Sequence, residues 1–190
     1  AYGMVSLLDE NGNQVAMSTR NGTVVLLQDV LDKCHEKCLQ VIENKNPDLE
    51  DKETVARQVG TGAVIFGALA NNKIKDIVFS YDRVLNFDGE TGPYVQYTAA
   101  RCSGVLSKAE EKGVSFDDYT LPETIEPQEY ELIAQLSAFP QTVESAAEKY
   151  EPSFVTRYAV DLAKLFNKFY FDHKIIGEDE NTTNMRLAIC

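Results

Sequence analysis

Prolines punctuate the chain from Thr91 onward, and the spacing of four of them leaves it little choice of fold. Proline lacks an N–H and has a fixed φ, so it breaks a helix interior but is harmless in a first turn. Pro93, Pro127, Pro140 and Pro152 each stand at the head of a helical pattern, which predicts helices over about 91–112, 128–138, 140–150 and 153–173. Short loops between helices of this length make antiparallel neighbours. From Thr91 onward the chain therefore reads as an antiparallel helical bundle, with Leu121 to Pro127 as a linker rich in proline and glutamate.

The first half is less uniform. Val5 to Leu8 is short and apolar, Asp9 to Asn13 is a turn by composition, and Val15 to Leu27 is a loop with a short extended segment. A helix follows over about Gln28–Glu43, with Val30, Leu31, Cys34, Cys38 and Val41 as its apolar stripe. A second runs over about Lys52–Ala70, with Val55, Val59, Ala63, Phe66 and Leu69 at helical spacing. Gly60, Gly62 and Gly67 each cost that helix stability, which suggests close approach of another backbone. Ile77-Val78-Phe79 is β-like but short. The opening Ala1-Tyr2-Gly3-Met4 starts in mid-pattern without a signal peptide, and Thr182 to Cys190 reads as a helix stopping after two turns, so a fragment is expected. No apolar run approaches the ~20 residues of a membrane-spanning helix.

The charge balance narrows the partners. With 18 basic and 30 acidic residues the net charge is −12, which opposes indiscriminate phosphate binding. The distribution is uneven: Ser107 to Glu151 holds 3 basic and 11 acidic residues, whereas Phe154 to Ile176 holds 4 basic and 2 acidic. An acidic shell with one basic helix can still bind a particular nucleic acid. No DNA and no membrane partner is expected.

Cys34, Cys38, Cys102 and Cys190 are spread along a chain without a secretory signal, the pattern of reduced thiols in a cytoplasmic protein. Cys34-His35-Glu36-Lys37-Cys38 puts two cysteines on one helix face, but a structural zinc site wants a second ligand pair, and the other histidine, His173, is far along the chain. Helical core packing accounts for these cysteines, and no metal is expected.

Three segments could carry chemistry. Ala16-Met17-Ser18-Thr19-Arg20-Asn21-Gly22-Thr23-Val24-Val25 combines hydroxyls, one guanidinium and a glycine ahead of a helix. Such a loop can wrap phosphates or be turn chemistry alone. On the helix opened by Pro93, Tyr94, Tyr97 and Arg101 share a face. Two rings beside a guanidinium suit stacking on unpaired bases, but half-buried tyrosines with hydroxyls at the rim are the commoner arrangement. In Phe154 to Tyr170, Val155, Leu162, Phe166 and Phe169 form an apolar stripe, while Arg157, Lys164 and Lys168 leave a basic edge beside Tyr170.

Taken together these segments resemble the C-terminal portion of arginyl-tRNA synthetases, class I aminoacyl-tRNA synthetases, over nearly the whole chain. Ala16-Met17-Ser18-Thr19-Arg20 sits where that family carries its variant of the K-M-S-K-S signature, usually M-S-T-R-K-G-T-V-V. Phe87-Asp88-Gly89-Glu90-Thr91-Gly92-Pro93-Tyr94-Val95-Gln96-Tyr97 looks like the start of its helical anticodon-binding domain. Leu162-Ala163-Lys164-Leu165-Phe166-Asn167-Lys168-Phe169-Tyr170 is similar to the L-A-x-x-F-x-x-F-Y run of that domain. Both lysines of the class signature are absent here, replaced by Ala16 and Thr19, and Asn21 follows the arginine. No H-I-G-H-type segment occurs.

The resemblance implies a mainly α chain: the end of a Rossmann-type catalytic core with short extended segments, then a DALR-type bundle. It divides the chain into 1–50 with the signature loop, 51–86 as a connecting helical segment, and 87–190 as the anticodon-binding domain. It implies a parent that activates arginine with ATP and Mg2+ and transfers it to the 3′ end of arginine tRNA. Met17, Ser18, Thr19, Arg20, Asn21 and Gly22 would close over ATP, with Arg20, Ser18 and Thr19 catalytic. Tyr94, Gln96, Tyr97 and Tyr170 would meet the anticodon loop, with Arg101, Lys164 and Lys168 near its backbone. A monomer is expected, with no cofactor bound and no activity in the isolated piece. The competing reading is a stand-alone helical RNA-binding or regulatory module without catalysis.

Overall fold

A computed structural model describes residues 2–8, 13–16, 25–114, 119–120, 122–177 and 179–190. Its first layer is a small sheet in the order β2-β1-β3, from β1 (Val5–Leu8), β2 (Gln14–Ala16) and β3 (Ile77–Phe79). β2 runs antiparallel to β1, with Leu7 opposite Val15, while β3 runs parallel, with Ser6 opposite Val78. A parallel pair needs a crossover connection, and two helices supply it: α1 (Leu27–Lys45) and α2 (Lys52–Leu69). Close approach holds the register at Gly3, where an added Cβ would fall 1.9 Å from the Lys75 carbonyl oxygen.

The α1–α2 contact is built from small side chains. Val30, Cys34 and Cys38 of α1 are buried against Ala56, Gly60 and Ala63 of α2. A Cβ on Gly60 would stand 3.0 Å from backbone atoms of Cys34 and His35, so here the expected backbone approach is found. Gly62 and Gly67 face side chains instead, Gln96 and Val84. On α1 the predicted stripe holds at Val30, Cys34 and Cys38, with Val41 exposed, whereas on α2 it is shifted: Ala56 and Gly60 join Ala63 in the seam, while Leu69 is exposed.

A single turn, α3 (Tyr81–Val84), which the periodicity does not predict, leads to α4 (Gly92–Glu111). Then follow α5 (Pro127–Ser137), α6 (Phe139–Glu148), α7 (Ser153–Asp172) and α8 (Glu180–Ile189). Proline stands in the first turn of α4, α5 and α6, and Pro152 immediately precedes α7. Polar caps complete the starts: Thr91 Oγ1 accepts from Tyr94 N–H, and Asp179 Oδ1 from Thr182 N–H.

The bundle core joins Val105 and Ala109 of α4, Leu132 of α5, Phe166 and Phe169 of α7, and Leu187 of α8, with Ile175. Below it a charged pair is sealed in. Arg186 Nε donates to Glu129 Oε1 at 2.7 Å and Arg186 Nη1 to the Lys174 carbonyl at 2.8 Å, and both side chains are almost fully buried. One bond set links the sheet side to the bundle: Lys73 Nζ donates to the carbonyls of Lys149 and Tyr150, both at 2.7 Å. Among the described residues no helix is long and apolar enough to cross a membrane.

Candidate functional site

The contact between α4 and α7 gathers most of the candidate residues of the bundle. The Thr91 cap and Pro93 set the rotation of α4, which turns Tyr94, Tyr97, Thr98 and Arg101 toward α7. From α7, Asn167 reaches into the middle of them. Its Nδ2 donates to the Tyr94 hydroxyl at 3.1 Å and to Thr98 Oγ1 at 2.8 Å. Its Oδ1 accepts from Arg101 Nη1. Thr98 in turn donates to the Tyr94 carbonyl at 3.0 Å.

Arg101 sits between aromatic rings. Its guanidinium carbon is 4.8 Å from the centre of the Tyr97 ring and 4.7 Å from that of Tyr170, and Nη2 donates to the Tyr97 hydroxyl at 3.0 Å. These are cation–π distances. Tyr97 stays 52% exposed and Tyr170 37%, whereas Tyr94 is half-buried with its hydroxyl engaged. The arrangement offers a half-open aromatic face stiffened by a guanidinium, able to stack on flat, unpaired π systems.

The two lysines of α7 differ. Lys164 forms an ion pair with Glu90, which holds the Glu90 carboxyl below its ordinary range by hydrogen bond and charge and raises Lys164 through the same bond. Lys168 is exposed and has no ion-pair partner among the described residues. Gln96 does not join the tyrosines. It points from α4 to α2, where a Cβ on Gly62 would stand 2.7 Å from its Nε2, and its Oε1 is buried without a described partner.

The residues Met17, Ser18, Thr19, Arg20, Asn21 and Gly22 lie outside the described residues. Asn167 is the residue that sequence reasoning missed. The available signal was an amide lying between the apolar Phe166 and Phe169 positions on the flank that ends at Tyr170.

Two other features lie apart from this cluster. A mostly apolar cavity of about 640 Å³ opens between sheet and helices, lined by Leu7, Val30, Ala63, Ile77 and Val84 among others. Cys34 and Cys38 face α2, where burial raises both thiols, Cys34 to about 11 with a contribution from Cys38. They are therefore protonated at neutral pH, and no group of three or more metal-ligating residues occurs among the described residues.

Known proteins match both halves. Residues 95–190 match the DALR anticodon binding domain, and residues 1–81 the catalytic domain of class I (R) tRNA synthetases. The arginine–tRNA ligase of Halothermothrix orenii is 52% identical over 188 residues, 99% of this chain and 32% of that protein. That of Alkaliphilus metalliredigens is 47% identical over 174 residues, 91% of this chain and 30% of its own. Among solved structures, the arginyl-tRNA synthetase of Thermus thermophilus aligns with a TM-score of 0.82 at 32% identity, over 100% of this chain and 31% of its own. The Plasmodium falciparum structure shares the fold, with a TM-score of 0.72 at 23% identity over 88% of this chain and 30% of its own. The chain spans about a third of the length of the curated relatives it matches. By its bundle and by the sheet and helices before it, the chain belongs to the arginyl-tRNA synthetase family and carries that family's DALR anticodon-binding domain.

Proposed function

We propose that this chain supplies anticodon-loop recognition and the signature loop of an arginine–tRNA ligase. The whole enzyme activates arginine with ATP, which enters with Mg2+ as substrate, and transfers arginine to the 3′ end of its tRNA. The working division is 1–50 for the end of the catalytic core, 51–86 for the connecting segment and 87–190 for the anticodon-binding domain. A monomer in the cytoplasm fits this reading. The observation that carries it is the half-open Tyr97–Arg101–Tyr170 face in a domain of the anticodon-binding family.

Each residue then has a task. Tyr97 and Tyr170 stack on unstacked loop bases, with Tyr94 behind them holding α7 in place. Lys168, and Lys164 from its pair with Glu90, meet the RNA backbone. Gln96 reaches the RNA only by leaving its place against α2. In the loop, Arg20 is the one cation between Met17 and Gly22, and with Ser18 and Thr19 it faces charge developing on the departing pyrophosphate.

Fluorescence titration with unmodified arginine tRNA at two salt concentrations tests the recognition half. Saturable binding that exceeds binding of a tRNA with a different anticodon supports it, and equal affinity for both overturns it. For the loop, Arg20→Ala in the intact enzyme should slow adenylate formation by on the order of 10²-fold while changing arginine binding less. A change below about twofold in single-turnover adenylation removes Arg20 from the mechanism.

A further inference from the structure

Arg101 is held in place by its neighbours, Asn167, Tyr97 and Tyr170. A guanidinium has only donors, so the amide oxygen of Asn167 must face Arg101 and its NH2 must face Tyr94 and Thr98. The bonds fit that one orientation: Nδ2 lies 3.1 Å from the Tyr94 hydroxyl and 2.8 Å from Thr98 Oγ1. Thr98 directs its own proton to the Tyr94 carbonyl, which leaves its oxygen free to accept. Each donor meets an acceptor around one planar amide that connects α4 to α7.

We infer that Asn167 is the positioning residue of the tRNA platform: it locks the Arg101 guanidinium against the Tyr97 and Tyr170 rings, so that unpaired bases meet a preformed aromatic face. This rests on the reading that the tyrosine face binds anticodon-loop bases, and it changes the part played by Arg101. With its guanidinium carbon 4.8 Å and 4.7 Å from the two ring centres and its donors on Asn167 and the Tyr97 hydroxyl, Arg101 braces the rings, and phosphate contact falls to the lysines. A flexible arginine and two separate tyrosines lose rotamer freedom on binding RNA, whereas a face ordered beforehand loses little.

The test uses the intact protein and unmodified arginine tRNA, with affinity, its salt dependence and thermal melting measured on each variant. Asn167→Ala should weaken tRNA binding by about tenfold, within what one stacked base contributes. In a Tyr97→Ala background the same change should add no more than about twofold, because a face already broken has nothing left to position. Arg101→Met should leave the slope of log affinity against log salt unchanged; a slope smaller by about one would mean Arg101 neutralises a phosphate, which overturns the inference. Asn167→Leu, of similar size and without polar atoms, gives the same reading if the alanine variant does not fold. Wild-type affinity in Asn167→Ala or Asn167→Leu beside a clear defect in Tyr97→Ala overturns the positioning role and leaves base stacking standing. Losses that multiply in the double variant also overturn it. Unchanged affinity in Tyr97→Ala removes the platform itself.

Discussion

Two helix contacts in this chain are built on opposite plans. Between α1 and α2 the seam is Cys34, Cys38, Ala56, Gly60 and Ala63, all buried, with backbones close enough to leave no room for a Cβ at Gly60. Between α4 and α7 the contact is Tyr94, Tyr97, Thr98, Arg101, Asn167 and Tyr170, hydrogen-bonded and half open. The first accepts about 1 kcal/mol of helix cost at a mid-helix glycine in return for close packing. The second keeps large rings at the surface, where burying them would be worth about 1.5–3 kcal/mol each. A contact that forgoes that burial yet fixes its side chains by directional bonds is suited to recognition, and a dry one to support.

Substitutions can break this contrast, beginning with the largest expected effect. If burial rather than polarity sets the cost, the sealed pair should outweigh both contacts: Glu129→Leu strands the Arg186 charge and should lower stability by about 3–5 kcal/mol in denaturant unfolding. A loss below about 1 kcal/mol would show that water reaches Arg186. Gly60→Val pushes a branched side chain into the Cys34 backbone and should cost about 2–3 kcal/mol, with tRNA affinity per folded molecule unchanged. Tyr97→Ala should do the reverse, weakening tRNA binding by about 1–3 kcal/mol while the melting temperature barely moves. If Tyr97 belonged to the core, melting would show a loss of about 3–5 kcal/mol and the contrast would collapse.

The dry seam also predicts a pH dependence. The unfolded Cys34 thiol ionises near 9.0 and the folded one near about 11, so between these values the unfolded chain releases a proton that the folded chain keeps. Stability supplied by the protonated thiol is thus complete below about pH 9 and falls by up to about 1.4 kcal/mol per pH unit above it. Wild type should therefore lose stability faster than Cys34→Ala over this interval in parallel urea titrations. Equal slopes would mean that the seam admits solvent. The smallest effect is expected from Tyr97→Phe, which keeps the ring and removes only the acceptor of the Arg101 Nη2 bond. Its tRNA affinity should stay within about threefold of wild type, a fraction of what loss of a stacking ring costs.

What the sequence revealed follows the same division. Prolines 93, 127, 140 and 152 mark helix starts by local chemistry, so the bundle was legible almost turn by turn. The α1–α2 seam was legible in part: Gly60 signalled close approach, but a hydrophobicity pattern favours Val55, Val59 and Leu69 over the alanine and glycine that make the contact. Helical spacing brought Tyr94, Tyr97 and Arg101 together, yet could not separate Gln96, one residue from Tyr97 but turned toward α2. Asn167 stood out only as an amide between Phe166 and Phe169, and its partners were not legible, because its three bonds go to residues 66 to 73 positions away. Arg186 escaped for a like reason: its carboxylate partner lies 57 positions away. Long-range pairing leaves no periodic trace in the chain.

The Lys73 ammonium has a consequence for how the molecule comes apart. The carbonyls of Lys149 and Tyr150 follow the last turn of α6, where a helix leaves acceptors unmet and carries partial negative charge. A cap drawn from neighbouring residues travels with its own helix. Local N–H groups close the last carbonyls of α6 itself, but the donor to the two that follow comes from 76 and 77 positions away, so the turn beyond α6 keeps it only while the sheet side stays docked. Separation of the two halves thereby strips the carbonyls of Lys149 and Tyr150 of their donor, and exchange of the amide hydrogens in the turn that closes α6 reports on a joint that lies outside the helix.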